Sequence, residues 1–274
     1  MFQRLIDTLI RIVFRKAIEW YFNVEKIGLE NIPSEGPLLF IGNHKAVLDS
    51  YIIGSLTNRP VVFMSKKEHL EGKGLKGWLL RKLLEGRSIP VDRESLRGSL
   101  EAMNAMAEHI ASGGVGGIHP EGTRTPGTAV YRAKPGFVTI VRKATELIQQ
   151  RAGDGVRLSS PVVPVVPVAL IGTASANRPG KRIPRFRSRI RVVVGTPLDL
   201  TDPIARRLSQ SSMSPSAAHK IVSGFAKARK AATGETETEY MARKVMEYVA
   251  ALGNLPYVNI TPEEAKKQAA TGVL

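Results

Sequence analysis

The fold is constrained most by an alternation along the chain. Short apolar runs at 38–41, 61–64, 88–91, 115–118, 162–170 and 190–194 read as buried strands. Between them, 49–56, 75–84, 95–111 and 137–149 carry helical periodicity, and Gly113 stands where a helix C-cap is expected. Such alternation predicts an α/β fold, a mostly buried central sheet with helices on both faces. Pro164 and Pro167 lie within the fifth run. A proline donates no ladder hydrogen bond, so both are expected at a strand start, bulge or edge.

The ends of the chain differ from this middle. Phe2, Leu5, Ile6, Leu9, Ile12, Val13, Ala17 and Trp20 share one helical face, opposite Arg4, Asp7, Thr8, Arg11, Arg15 and Glu19. Residues 1–23 are therefore expected to form an amphipathic, membrane-associating helix; packing on the protein's own core fits the same pattern. Residues 24–274 read as one domain whose region from about 203 is helical, with a Ser/Pro-rich linker at 209–216 and helices near 217–232 and 237–252. Thr261-Pro262-Glu263-Glu264 is a helix start, with a cap, a proline and acids at the positive dipole end.

Composition narrows the function. The chain has no cysteine, which excludes disulfides, cysteine-ligated zinc and a cysteine nucleophile. The formal net charge of +16 attracts polyanions. Aromatic residues are only 6%, and no zinc finger, RNA-binding or helix-turn-helix pattern is present, so an anionic membrane surface is expected and nucleic acid is not. No stretch approaches the roughly 20 apolar residues of a spanning helix. Arg4, Asp7, Arg11 and Arg15 interrupt any signal-peptide core. Between 178 and 191 stand Arg178, Lys181, Arg182, Arg185, Arg187, Arg189 and Arg191 without an acid. This segment suits an anionic leaflet or an acidic carrier protein, and a solvated loop would read alike. Residues 72–85 set Leu75, Trp78, Leu79, Leu83 and Leu84 among Lys73, Lys76, Arg81 and Lys82, fitting an acyl-chain groove, a bilayer contact or a core-packed helix.

Two loops carry chemistry. Asn43-His44 follows the first apolar run, and Asp49 lies five residues after the histidine. Histidine suits general-base work near neutral pH, and a carboxylate fixes its tautomer and stabilises the imidazolium. Five residues is a poor spacing within one helix, so His44 is expected in the loop and Asp49 at the start of the next helix. A polar loop residue beside a helix-start acid would give the same pattern. The second loop, His119-Pro120-Glu121-Gly122-Thr123-Arg124, follows the fourth run, where α/β sheets place ligands. Its arginine offers a planar fork for phosphate and its glycine allows close approach; a surface turn is the alternative. His119-x-Glu121 also matches part of a zinc deaminase signature, but the cysteine ligands are missing and no metal is expected. Residues 113–117 are glycine-rich without a following Lys-Ser/Thr, and read as a flexible turn.

Taken in order, these blocks resemble the glycerophospholipid acyltransferases, the 1-acyl-sn-glycerol-3-phosphate acyltransferases and their relatives. The family pattern is matched by Asn43-His44…Asp49, by Gly86…Ile89-Pro90-Val91-Asp92-Arg93, by His119 to Arg124, and by Val163-Pro164-Val165 or Val166-Pro167-Val168. Lys134 and Gly136 match a downstream lysine-glycine signature, and the resemblance spans roughly 25–200. It implies that His44 is the base and Asp49 its orienting acid. Arg93, Glu121, Gly122, Thr123, Arg124 and Lys134 would form the acceptor's phosphate site, with Glu121 ordering it. It implies transfer of a fatty acyl group to the sn-2 hydroxyl of lysophosphatidate. The co-substrate would be an acyl-CoA or acyl carrier protein thioester, with no further cofactor. The expected location is the cytoplasmic face of the cell membrane, as a peripheral protein. Other acceptors (glycerol-3-phosphate, another lysophospholipid, a glycolipid) and a non-catalytic membrane-binding protein are the alternatives. The chain departs from the pattern at Pro90, at Arg87-Ser88, at Lys45-Ala46 and at His119, where phenylalanine is common.

Overall fold

The computed structural model describes residues 16–66, 88–92, 95–154, 160–176, 185–200 and 234–272. The first helix expected at 1–23 enters this set only as α1 (residues 16–21). The expected helices at 75–84 and 217–232, and Arg93 itself, lie outside it.

Eight strands form the main sheet: β1 (Asn23–Ile27), β2 (Leu38–Gly42), β3 (Val61–Lys66), β4 (Ser88–Val91), β5 (Val115–Ile118), β7 (Pro164–Ile171), β8 (Arg189–Val194) and β9 (Leu198–Asp199). Their order is β1-β8-β7-β2-β5-β3-β4, with β9 paired to the start of β7. The strands from β7 to β4 run parallel, while β8 and β9 meet β7 antiparallel. Between them come α2 (Leu48–Gly54), α3 (Leu96–Ala111), α4 (Gly136–Gly153) and α5 (Thr173–Ala176). The predicted α/β architecture is therefore the observed one.

Strand β2 shows why the sheet must be covered twice. All five of its residues are buried, and alternate side chains enter different cores. Leu39 and Ile41 join α3, α4 and the later helix α6 (Glu237–Leu252). Leu38 and Phe40 join Ile18 and Phe22 at α1 and Ile52 and Ile53 of α2. Each of these aliphatic side chains contributes about 1.5–3 kcal/mol relative to exposure.

Local signals set the helix ends. Ser95 caps α3 by accepting a hydrogen bond from the Gly98 N–H at 3.1 Å, and Gly113 terminates it at φ 84°. Thr261 opens α7 (Pro262–Ala270) with a full capping box to Glu264.

Two expectations need correction. Residues 113–117 are not one flexible turn, because Gly116 and Gly117 belong to β5. A Cβ on Gly117 would sit 2.4 Å from the Phe63 ring, and one on Gly116 2.9 Å from Leu39. These glycines are there for close packing. Pro167 lies inside β7, a central strand, rather than at an edge. Its carbonyl accepts from the Gly195 N–H at 2.8 Å, so its own nitrogen faces the same side. There β8 has ended at Val194 and β9 has not begun, and the missing donor costs no ladder bond.

Candidate active site

Adjacent parallel strands put the two motif loops side by side. Ile41 of β2 is in register with Ile118 of β5, so residues 43–49 and 119–125 leave neighbouring strand ends on the carboxyl edge of the sheet. Asn43 fixes the first loop from below. Its buried amide donates to the Leu170 carbonyl at 2.9 Å and accepts from the Leu170 N–H at 2.8 Å.

Asp49 is the second residue of α2, and its side chain reaches back into the loop. One carboxylate oxygen lies 3.0 Å from His44 Nδ1 and accepts from the Lys45 and Ala46 N–H groups at 2.5 and 2.7 Å. A carboxylate only accepts, so Nδ1 carries the proton and Nε2 presents a lone pair. Among the described residues Nε2 has no hydrogen-bond partner, and the His44 side chain is 19% exposed. Burial opposes charge on Asp49, but the His44 hydrogen bond and the Ala46 N–H prevail and hold its carboxyl below the ordinary value. Its other oxygen, Oδ1, is buried and unpartnered among the described residues.

Glu121 is fully buried and turned inward. Its oxygens accept from the His44 N–H at 2.6 Å and the Tyr131 N–H at 2.9 Å. Burial pushes it up to about 7, against the pull of the Lys45 ammonium and these backbone donors. Glu121 thus ties the histidine loop to its own loop. Lys45 reinforces that tie, with its ammonium donating to Thr125 Oγ1 at 2.6 Å and to the carbonyls of Pro126 and Ala129. The Thr125 N–H closes the junction onto the His44 carbonyl at 2.9 Å.

The outer half of the second loop faces solvent. Gly122 takes φ 73°, and the stem of Lys134 lies where its Cβ would project, 3.2 Å away. The Thr123 hydroxyl accepts from Lys266 at 2.6 Å, and Lys134 sits 3.6 Å from Glu263. Arg124 is exposed and has no acidic partner among the described residues.

Sequence reasoning singled out His44, Asp49, Glu121, Gly122, Thr123, Arg124 and Lys134, and the structure gathers them around this junction. Arg93 lies outside the described residues. The roles of Asn43, Lys45 and His119 went unassigned, because their partners are distant in sequence. The His119 ring stacks on His44 with centroids 4.2 Å apart. Its Nδ1 faces the Gly42 carbonyl at 3.0 Å, and its Nε2 therefore accepts from Ser50 at 3.1 Å. Among the described residues no group of three or more His, Asp or Glu could hold a metal ion.

The chain is similar to known proteins in sequence and in fold. The chain is 27% identical over 202 residues to a 1-acyl-sn-glycerol-3-phosphate acyltransferase of Chlamydomonas reinhardtii, covering 71% of this chain and 54% of that protein. A chloroplastic 1-acyl-sn-glycerol-3-phosphate acyltransferase of Brassica napus is 26% identical over 65% of this chain and 46% of its own length. The chain thus spans about half the length of these curated relatives. In fold it is similar to the 1-acyl-sn-glycerophosphate acyltransferase PlsC of Thermotoga maritima, with a TM-score of 0.51 at 19% identity over 88% of this chain and 79% of that one. The family model described as Acyltransferase matches residues 23–171, more than half of the chain and the whole span from β1 to β7 that builds both loops. On that match, the chain belongs to the acyltransferase family.

Proposed function

We propose that this protein transfers a fatty acyl group from a thioester to the sn-2 hydroxyl of lysophosphatidate, giving phosphatidate. The observation that carries the reading is the His44–Asp49 pair at 3.0 Å, its outer nitrogen open, beside the loop that carries the exposed Arg124. His44 Nε2 takes the proton of the acceptor hydroxyl as its oxygen attacks the thioester carbonyl. The tetrahedral intermediate collapses, the C–S bond breaks, and the imidazolium returns the proton to the departing thiolate. Asp49 stabilises that imidazolium. A thioester is already activated, so no acyl-enzyme, metal or further cofactor is invoked. Arg124 and Lys134, with Arg93, hold the phosphate, while Gly122 and Thr123 shape the loop and Glu121 orders it.

The reaction is placed at an anionic membrane surface, as a peripheral protein on the cytoplasmic face of the cell membrane. Among the described residues no helix is long and apolar enough to cross a bilayer. What supports surface binding is an exposed aromatic pair, Trp20 at 71% and Phe186 at 48%, with ring centroids 5.5 Å apart. Exposed Arg185, Arg187 and Arg189 flank it. Aromatic rings seat in the headgroup layer, and arginines nearby meet lipid phosphate.

Thiol release from palmitoyl-CoA and from an acyl carrier protein thioester tests the reading, with and without lysophosphatidate, on wild type and His44→Ala. Release that needs lysophosphatidate and disappears in the variant is expected, and the better thioester identifies the donor. Release with glycerol-3-phosphate or another lysophospholipid alone would reassign the acceptor. No release with any acceptor would leave a membrane-binding protein.

A further inference from the structure

The C-terminal segment is laced onto the loop that the proposed function assigns to phosphate. Strand β10 (Tyr257–Val258) pairs in parallel with β6 (Val130–Tyr131), only a few residues after Arg124. The Val130 N–H donates to the Pro256 carbonyl at 2.8 Å and the Arg132 N–H to the Ile260 carbonyl at 3.1 Å. Ala265 of α7 is buried against Ala129 and Tyr131. Tyr131 in turn donates its N–H to Glu121. Helix α7 is thereby fixed over residues 119–125, although it lies far beyond the residues that the family model matches.

This docking delivers Lys266. Its ammonium donates to Thr123 Oγ1 at 2.6 Å, a neutral acceptor, and no acid pairs with it among the described residues. Lys134 lies across Gly122, and Arg124 is the next residue after Thr123. Two cations therefore converge on Gly122 and Thr123, and Arg124, exposed on the adjoining residue, adds a third charge to this stretch of the loop. The only acid paired with any of them among the described residues is Glu263, at 3.6 Å from Lys134 with both side chains more than half exposed. Such a solvated pair is weak. A cluster of this kind lacks an anion of about two negative charges, and a phosphomonoester carries that charge with three acceptor oxygens.

We infer that Lys266 of the C-terminal helix is a direct ligand of the acceptor's phosphomonoester, acting with Arg124 and Lys134. The phosphate takes the ammonium from Thr123 and displaces the Lys134–Glu263 pair. The inference rests on the lysophosphatidate reading, and the experiment separates the two.

Steady-state kinetics with lysophosphatidate are measured for wild type, Lys266→Gln, Lys266→Arg and Lys267→Gln. Lys266→Gln keeps a donor for Thr123 but loses the charge, and its acceptor KM is expected to rise about tenfold with little change in kcat. Lys266→Arg is expected to stay near wild type. Lys267→Gln, the same charge loss one residue away, is expected to shift KM less than twofold. An unchanged KM in Lys266→Gln, or an equal rise in Lys267→Gln, overturns the inference while the reaction stands. Thermal stabilisation by glycerol-3-phosphate and by inorganic phosphate is the arm that survives if wild type does not acylate lysophosphatidate. Stabilisation that is halved or lost in Lys266→Gln supports the site. Equal stabilisation, or none in wild type, overturns it. A response to inorganic phosphate as strong as to glycerol-3-phosphate would mark the ligand as free phosphate rather than a lipid headgroup.

Discussion

The imidazoles of His44 and His119 lie face to face, 4.2 Å between centroids and 8° from parallel, with Phe63 stacked behind His119 at 5.9 Å. Two stacked imidazoles in van der Waals contact repel each other when both are cationic, which favours keeping one neutral. Burial chiefly, and His44 next, push His119 down to about 4, against the pull of Asp49 and the Gly42 and Asn43 backbone. His119 is thus a neutral plate behind the candidate base.

Acid stability follows from that shift. The folded protein holds the His119 proton less tightly than the unfolded chain. The associated stability is complete above about 6.5, the unperturbed value, and is lost as pH falls from there toward 4. His119→Phe keeps an aromatic plate and removes the proton. Its melting temperature is expected to fall less between pH 6.5 and 4.5, a difference on the order of 2 kcal/mol. At pH 8 the variant should be less stable by about 1 kcal/mol, from the lost Gly42 and Ser50 hydrogen bonds. Parallel pH melts check both arms, and identical acid limbs would count against a neutral, buried His119.

Asp49→Asn should separate geometry from chemistry. One oxygen faces His44 Nδ1 and the Lys45 and Ala46 N–H groups, so the amide oxygen can keep all three while its NH2 takes the buried, unpartnered Oδ1 position. The His44 proton then stays on Nδ1, and what is lost is the negative charge that would stabilise an imidazolium. A fall in kcat of about 10²–10⁴ is expected, with circular dichroism unchanged. Activity within tenfold of wild type would refute the pairing.

Asn43→Ala should act through the backbone. It strands the buried N–H and carbonyl of Leu170, each left without its partner in mid-sheet. A loss of about 2–3 kcal/mol in urea unfolding is expected. Because the same residue anchors the His44 loop, kcat should fall at least tenfold in variant protein that is still folded. Unaltered unfolding would mean that water or another side chain satisfies Leu170.

Membrane association should depend on the aromatic pair. Trp20→Ala with Phe186→Ala is expected to weaken binding to phosphatidylglycerol vesicles about tenfold, with solution thiol release from a short-chain thioester retained. Binding of wild type should also fall as salt is raised, because the flanking arginines act through screened charge. Equal sedimentation of the variant and wild type would remove this surface from the membrane contact.

Much of the fold was legible because its signals are local. Apolar runs bounded by turns marked β2, β4 and β5, and the capping residue Thr261 marked a helix start. His44 and Asp49 were legible as a pair because one loop and one helix start bring them together. Gly116 and Gly117 misled because composition alone does not distinguish a turn glycine from one pressed against Phe63 and Leu39. Pro167 misled because its position depends on where a neighbouring strand stops.

The sequence by itself determined the alternation of strand and helix, the positions of the two motif loops, and the nearness of His44 to Asp49. Those follow from periodicity, caps and short-range spacing, which act within a few residues. Only the tertiary structure decided that β2 and β5 lie side by side, that Glu121 and Lys45 bind one loop to the other, and that His119 backs His44. It also decided that α7 brings Lys266 to Thr123. These contacts join residues about 70 to 140 positions apart. They exist only once the sheet order has formed, and no local pattern of side chains encodes that order.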